Sequence, residues 1–272
     1  MINFCAIYRN NFSYLNNFLI PTITKLDKFE FFNFYFYTND STDGTEELLV
    51  NLSAKYKNIT TLVKQVGNKH FEGGWELERI QGLAHARNNL LTLRPFANHQ
   101  WSVFVDSNIY FHPDIFDKFL HFKKPDSGVV FACAGLDFRF PCYLHENCFC
   151  YYDLLGVIDS KGRQGFELLK ELNFVRTCSF PFLDQSEEYQ YNLNLPVRVQ
   201  SAFGGMCFYK TNVINQSDVY YSSNIQKWHP NENIPIYLEH WDFHQRVSNY
   251  GDLYTIPLKV YRDELYQICK PI

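Results

Sequence analysis

Trp101-Ser-Val-Phe-Val-Asp-Ser-Asn-Ile-Tyr-Phe-His-Pro113 is the stretch whose reading decides the fold. Val103-Phe104-Val105 is a short apolar run of the kind that forms a buried strand. It runs straight into Asp106-Ser107-Asn108, a polar triplet with an acidic head. Open α/β sheets bind ligands at the carboxyl ends of their parallel strands, and that is where this carboxylate would stand. A plain turn cap at Asp106 is the competing reading, and the rest of the chain has to decide between the two.

Upstream, Phe4 to Tyr8 reads as a first strand ending at Arg9-Asn10-Asn11. A helix is expected through Tyr14, Leu15, Phe18 and Leu19, with Pro21 near its end or in a kink. Phe31 to Tyr37 is rich in aromatic β-formers and reads as the second strand. It stops at Thr38-Asn-Asp-Ser-Thr-Asp-Gly-Thr45. Asp43 and Glu46 have the spacing of a capping box, opening a helix through Leu48, Leu49 and Leu52. Capping leaves Asp40 unexplained. A carboxylate between a strand and a helix N-terminus can receive ribose hydroxyls or a base N–H. A strand over Thr60–Val63 then completes a βαβ pattern. In Gly74–Leu91 the apolar residues Leu77, Ile80, Ala84 and Leu91 recur at helical spacing. Arg79 and Arg87 lie close to one face of that helix and suit either a solvated ion-pair face or contact with a diphosphate.

Downstream, Pro113 is placed to open a short helix at N1 over Asp114–Leu120, and Val129–Ala134 reads as another buried strand. The region from Arg139 to about Leu195 is irregular and aromatic, with one helix near Phe166–Leu172. Pro196–Lys210 reads as two short strands about a Gly204-Gly205 turn, where backbone can approach a ligand closely or simply bend. Tyr237–Gly251 reads as a helix closed by Gly251 at its C-cap. Glu239, Asp242 and Arg246 fall at i, i+3 and i+7 and share roughly one face. Carboxylates and histidines at a helix start suit general-base or metal work, and a capped surface helix is the plain alternative. Leu253–Tyr261 reads as the last strand, with Pro257 suiting an edge.

At 272 residues, with 46% hydrophobic residues, 26 Phe and 19 Tyr, the chain can bury a large core. No linker-like or repetitive tract is seen, so one domain over 1–272 is expected, with halves 1–112 and 113–272. A formal charge of −4 argues against a nucleic-acid binder. No apolar run approaches the roughly 20 residues that span a bilayer, which leaves peripheral membrane association open. The first residues lack the pattern of a signal peptide. Of the eight cysteines, Cys142, Cys148 and Cys150 cluster around His145. Their spacing matches no usual zinc pattern, so free buried thiols and a cytoplasmic location are expected.

The order of these pieces resembles a GT-A-type glycosyltransferase: Asn39-Asp-Ser-Thr-Asp-Gly-Thr45, Ala86-Arg-Asn88, Val105-Asp-Ser-Asn108, Phe203-Gly-Gly-Met206, then Glu239-His-Trp-Asp-Phe243 with Arg246 and Gly251. The closest likeness is to the capsule-associated mannosyltransferases of fungi and their viral and bacterial relatives, with a C-terminal helix similar to that of family-2 enzymes. The resemblance implies a Rossmann-like α/β fold with a central mixed sheet flanked by helices. It implies a UDP- or GDP-sugar donor and a glycan or glycoconjugate acceptor. The donor would lie against Arg9, Asp40, Asp43, Arg79, Arg87, Asp106, Ser107, Asn108, Gly204 and Gly205. Asp106 and Asn108 stand where such enzymes carry an Asp-x-Asp metal motif, so a Mn2+ or Mg2+ ion is implied, with His240 or His244 supplying another ligand. A neutral Asn108 is a poor ligand for a hard cation, so the ion should bind weakly and Asn108→Asp should tighten it. Glu239 or Asp242 would be the catalytic base of an inverting mechanism, with Trp241 and Phe243 as a sugar platform.

Two other functions remain open at this point. A sugar-phosphate nucleotidyltransferase would use a similar sheet, but it usually carries a Gly-rich, lysine-bearing loop after strand one, and Arg9-Asn10-Asn11-Phe12 has no such glycine. A catalytically silent carbohydrate-binding protein would suit Asn108 and the many aromatics.

Overall fold

Apolar runs become buried strands, and the polar clusters between them become loops. The computed structural model of the chain describes residues 2–26, 29–67, 77–137, 150–151, 156–165, 193–222 and 239–262. β1 (Ile2–Tyr8) is followed by α1 (Phe12–Tyr14), a π-helical turn (Leu15–Leu19) and α2 (Ile20–Ile23). The widened turn lies just ahead of Pro21, whose ring and missing N–H interrupt a regular helix ladder. Next come β2 (Phe32–Asn39), α3 (Thr45–Lys55), β3 (Ile59–Lys64), α4 (Leu77–Leu91), β4 (Trp101–Val105), β5 (Ile109–Tyr110) and α5 (Ile115–His121). Asp114 is the N-cap of α5, so Pro113 precedes the helix instead of opening it. The remaining elements are β6 (Gly128–Asp137), β7 (Cys150–Tyr151), β8 (Ile158–Asp159), β9 (Val197–Ser201), β10 (Met206–Lys210), α6 (Thr211–Ile214), α7 (Glu239–Val247), a 3-10 turn (Ser248–Tyr250) and β11 (Asp252–Arg262). The helix expected near Phe166–Leu172 and the group Cys142, His145 and Cys148 lie outside the described residues.

The chain divides into two compact units, Met1–Ser107 with Phe208–Pro235, and Asn108–Cys207 with Ile236–Ile272. Where the sequence suggested a division at 112, the chain passes from one unit to the other between Ser107 and Asn108. The segment from 208 to 235 returns to the first unit, which no local signal announces.

In the first unit β3, β2, β1 and β4 lie in that order, all parallel. β1 and β4 are buried almost throughout, as strands covered on both faces must be. The aromatic excess is spent here: the rings of Phe4, Phe34 and Phe36 lie 5.7 to 6.3 Å apart, and Tyr8 meets Phe36 edge-on at 5.7 Å. Two buried polar residues in these strands find hydrogen-bond partners far away in the chain. Asn3 donates to the Ala97 carbonyl at 2.9 Å, and the Ser102 and Thr211 hydroxyls bond at 2.9 Å.

In the second unit the order is β6, β11, β9, β8. β11 runs parallel to β6 and antiparallel to β9 and β5. It is therefore an interior strand, not the edge that Pro257 suggested. Proline is tolerated because the ladder to β6 shifts register between Thr255 and Lys259, so a bulge absorbs the missing N–H. Gly251 turns the chain into β11 as expected. A Cβ there would lie 2.5 Å from the Ser127 carbonyl oxygen and 2.6 Å from Val129 Cγ1, so only glycine fits. No helix among the described residues is long and apolar enough to cross a membrane.

Candidate functional site

Parallel pairing in register puts the ends of three strands of the first unit at one edge. Tyr8 pairs with Thr38 and Ala6 with Val105, so Arg9, Asp40 and Asp106 all follow strands that finish together. This is the edge at which parallel α/β sheets receive ligands. Two of the loops are laced to each other. Asn10 N–H donates to Ser41 Oγ (3.1 Å), Thr42 N–H to Asn10 Oδ1 (2.8 Å), Asn11 N–H to Thr45 Oγ1 (2.8 Å) and Phe12 N–H to Asp43 Oδ2 (2.9 Å). Asn10 and Asp40 take left-handed backbone, at φ 52° and 50°, which Asn and Asp tolerate best among residues with side chains.

Asp43, expected both as a cap and as a donor contact, spends both oxygens on this lacing. Its Oδ1 accepts from the Thr45 N–H (3.0 Å) and hydroxyl (2.6 Å). Burial pushes its carboxyl up, but these bonds and the Phe12 N–H outweigh it and hold the group below its ordinary pKa. The expected capping box does not form. Gly44 is the N-cap, at φ 90°, and Glu46 Oε1 accepts from Ser41 N–H instead. Asp40 Oδ1 accepts from Val66 N–H (2.8 Å) and Gly67 N–H (3.0 Å), while Oδ2 accepts from Asn39 (2.8 Å) and lies 4.0 Å from Arg9 Nη2. Asp40 thus fixes the loop after β3 and keeps Arg9 within reach.

Arg87 is the larger surprise. Its side chain is 6% exposed, and Nη2 donates to Asp106 Oδ1 at 3.0 Å. The guanidinium carbon stands 5.5 Å from the centre of the Tyr221 ring. Neighbouring Asn88 pins Tyr221 from both sides, donating to its carbonyl (2.7 Å) and accepting from its N–H (2.8 Å). Sequence periodicity held the signal: Ile80, Ala84, Arg87 and Leu91 lie on the buried stripe of α4. Arg79 is only half-buried, so the two arginines do not share one environment. Sequence reasoning passed over Tyr8, the last residue of β1. It is 2% exposed, and among the described residues its hydroxyl has no hydrogen-bond partner. Burial, reinforced by the Asp106 charge, pushes its pKa well up, so the hydroxyl keeps its proton. A tyrosine closing an otherwise apolar strand was the available cue.

In the second unit Asn108 faces an arginine. With its amide turned so that oxygen meets the guanidinium, it accepts from Arg262 Nε (3.1 Å) and Nη2 (3.2 Å). Gly204 and Gly205 form the expected turn at φ 62° and 77°. On α7 the buried face is Glu239, His240, Phe243, His244 and Val247, with Glu239 at 5% exposure. Asp242 and Arg246, 4.0 Å apart, sit on the more exposed side, so burial separates Glu239 from the two residues expected to share its face. Phe243 is fully buried, so its ring is core and not a sugar platform. His240 stacks on Phe203 at 3.9 Å, and His244 follows at 5.8 Å. Ser201 Oγ donates to the Gly156 carbonyl (2.9 Å) and bonds His244 Nδ1 (2.8 Å). The serine proton is thus spent, which assigns the proton of that second bond to His244 Nδ1.

Full burial lowers the His244 pKa to about 3, so it stays neutral in the fold. Once unfolded it would titrate near its ordinary value of about 6.5. The unfolded state then binds the extra proton, and stability must fall as pH drops through that window. The expected loss is up to about 1.4 kcal/mol per pH unit. Burial shifts His99 the same way, so the difference between wild type and His244→Gln in urea melts at pH 7 and pH 5 isolates His244. Equal slopes would remove it as the source.

Among the described residues no group of three His, Cys, Asp or Glu side chains could hold a metal. Asp106 already binds Arg87, and Asn108 already binds Arg262. Two of the four expected cation ligands are thus engaged by arginines.

Residues 4–240 match the family described as cryptococcal mannosyltransferase 1. The chain belongs to that family. No curated protein sequence matches it. Among solved structures it is similar to S. aureus TarS, at 13% identity and a TM-score of 0.52, covering 98% of this chain and 38% of that one. It is also similar to the mannosyltransferase PcManGT from Pyrobaculum calidifontis in complex with GDP-Man and Mn2+, at 10% identity and a TM-score of 0.54 over 96% of this chain and 56% of that one. A third is GalNAc-T7 with UDP, GalNAc and Mn2+, at 12% and 0.55 over 97% and 44%. The chain therefore spans roughly two fifths to just over half of these proteins. At such identities the likeness establishes the fold, a mixed α/β GT-A architecture.

Proposed function

We propose that the chain is a glycosyltransferase that moves a hexosyl group from a UDP- or GDP-linked donor to a hydroxyl of a glycan or glycoconjugate, a reading that its mannosyltransferase family favours over a sugar-phosphate nucleotidyltransferase. The observation that carries the reading is Asp106 at the end of a buried parallel strand, oriented by a buried arginine. In this reading Asp40 and Arg9 meet the ribose and base. Asp106 and Ser107 meet the donor sugar and diphosphate, with Arg79 at the margin. Asp43 serves by locking the loops. Gly204 and Gly205 present backbone to the sugar, and Glu239, with Asp242 beside it, serves the acceptor. Sugar transfer needs the leaving diphosphate stabilised and the acceptor hydroxyl held in line with the anomeric carbon. The second need falls to the α7 carboxylates.

Mn2+ or Mg2+ is given a minor, weakly bound part, because the described donors are already engaged by arginines. Cys5, Cys133 and Cys207 are buried outside any disulfide, which favours a reducing compartment, and we place the reaction in the cytoplasm.

Thermal shift and calorimetry with UDP, GDP and their sugars, with and without chelator, test the reading. Wild type should bind one nucleotide series and release free nucleoside diphosphate from its sugar. Asp106→Ala should lose both while keeping its fold. Binding of glycans with no nucleotide binding or release would leave the silent carbohydrate-binding alternative standing.

A further inference from the structure

We propose that Lys64 reads the base of the donor. It accepts a base with a keto oxygen, uracil or guanine, and rejects one with an amino group in its place, cytosine or adenine. The proposal rests on the nucleotide-sugar reading above. Lys64 is the last residue of β3 and pairs with Asn39, the residue before Asp40. In the strand order β3, β2, β1, β4 it stands on the side of Asp40 away from Asp106. With sugar and diphosphate assigned to Asp106, and ribose and base to Asp40, the next strand outward meets the far edge of the base.

Lys64 is an exposed residue whose head group is nonetheless held. Its Nζ donates to Asn89 Oδ1 at 2.7 Å. Asn89 lies on α4, is 7% exposed, and donates through Nδ2 to the hydroxyl of the fully buried Tyr37 at 3.3 Å. An ammonium only donates, so the amide oxygen has to face it, and the tyrosine takes the other end of the amide. Both holders are neutral, since burial pushes the Tyr37 phenol up and keeps its proton on. Among the described residues Lys64 forms no ion pair. Glu46, on the helix that follows β2, instead accepts from Ser41 N–H and from Gln65 Nε2, each at 2.9 Å. One of the three ammonium donors is engaged, so two remain for a ligand.

A held donor discriminates by what it meets. Guanine O6 and the O4 of uracil accept a hydrogen bond, whereas adenine and cytosine carry a donating amino group at the same ring position. Donor then faces donor, and a site built to bond one group rejects an analogue that lacks it.

Calorimetry with UDP, CDP, GDP and ADP tests this in wild type, Lys64→Met and Lys64→Arg. Wild type should prefer UDP over CDP, or GDP over ADP, by about tenfold or more, the scale of one charge-assisted contact. Lys64→Met keeps most of the stem and should erase most of that ratio, chiefly by weakening the keto nucleotide. Lys64→Arg keeps charged donors and should retain part of it. The ratio is the readout because a merely structural defect weakens both nucleotides of a pair alike. Equal binding within both pairs by wild type, or an unchanged ratio in Lys64→Met, overturns the inference and leaves the nucleotide site standing. A Lys64→Met protein that melts at lower urea with its base preference intact makes the lysine a strap between β3 and α4, and overturns it equally. Failure of wild type to bind any of the four overturns the functional reading itself.

Discussion

Arg87→Met should cost the protein both stability and donor binding, the larger effect being on the site. Methionine keeps the length and the apolar stem of the arginine and removes its charge. Asp106, whose side chain is only 21% exposed, then loses the guanidinium at 3.0 Å and stands beside the buried, protonated Tyr8. Breaking a fully buried pair costs about 3–5 kcal/mol, and partial exposure of Asp106 should bring this to about 2–3 kcal/mol. The carboxylate also loses the group that orients it, so nucleotide affinity should drop about tenfold or more. Urea melts and calorimetry read the two effects separately. Adding Asp106→Asn should recover much of the stability, since no uncompensated charge then remains, but none of the binding. An Arg87→Met protein with wild-type stability and affinity would mean the pair is incidental.

Glu239→Gln carries the second large effect. The side chain is buried in the first turn of α7, and glutamine matches its size while removing its basicity. As the acceptor-side base, Glu239 should account for about 10²-fold or more in transfer rate. Donor affinity should stay near wild type, because Glu239 is assigned to the acceptor. Product stereochemistry is an independent check, because a base is expected only with inversion. Near-normal turnover of the variant, or retention by wild type, would reduce Glu239 to an acceptor contact.

The sequence by itself determined the strands, most helices and the edge where the candidate residues gather. Apolar runs such as Val103–Val105 and the aromatic β2 are local patterns, and burial follows from local composition. Polar clusters directly after such runs have to emerge at strand ends, so Arg9, Asp40 and Asp106 were legible as candidates. Glycine behaved the same way: Gly251 was readable as a helix stop because the conformation it permits is a property of one residue. The bulge at Pro257 was not readable, since whether a strand is interior depends on partners far away in the chain.

Only the tertiary structure decided which charges are spent on the protein and which face a ligand. Arg87 points inward because Asp106 and Tyr221 meet it there, and Tyr221 arrives from a segment that returns to the first unit, pinned by an Asn88 that is 133 residues away. Asn108 reads in the sequence as a weakened metal ligand. It becomes an arginine holder only when β11 brings Arg262 beside β5. Residue type fixes what a side chain can donate or accept. Which partner takes that capacity is set by strand pairing across the chain, and hydrophobic periodicity carries no record of it.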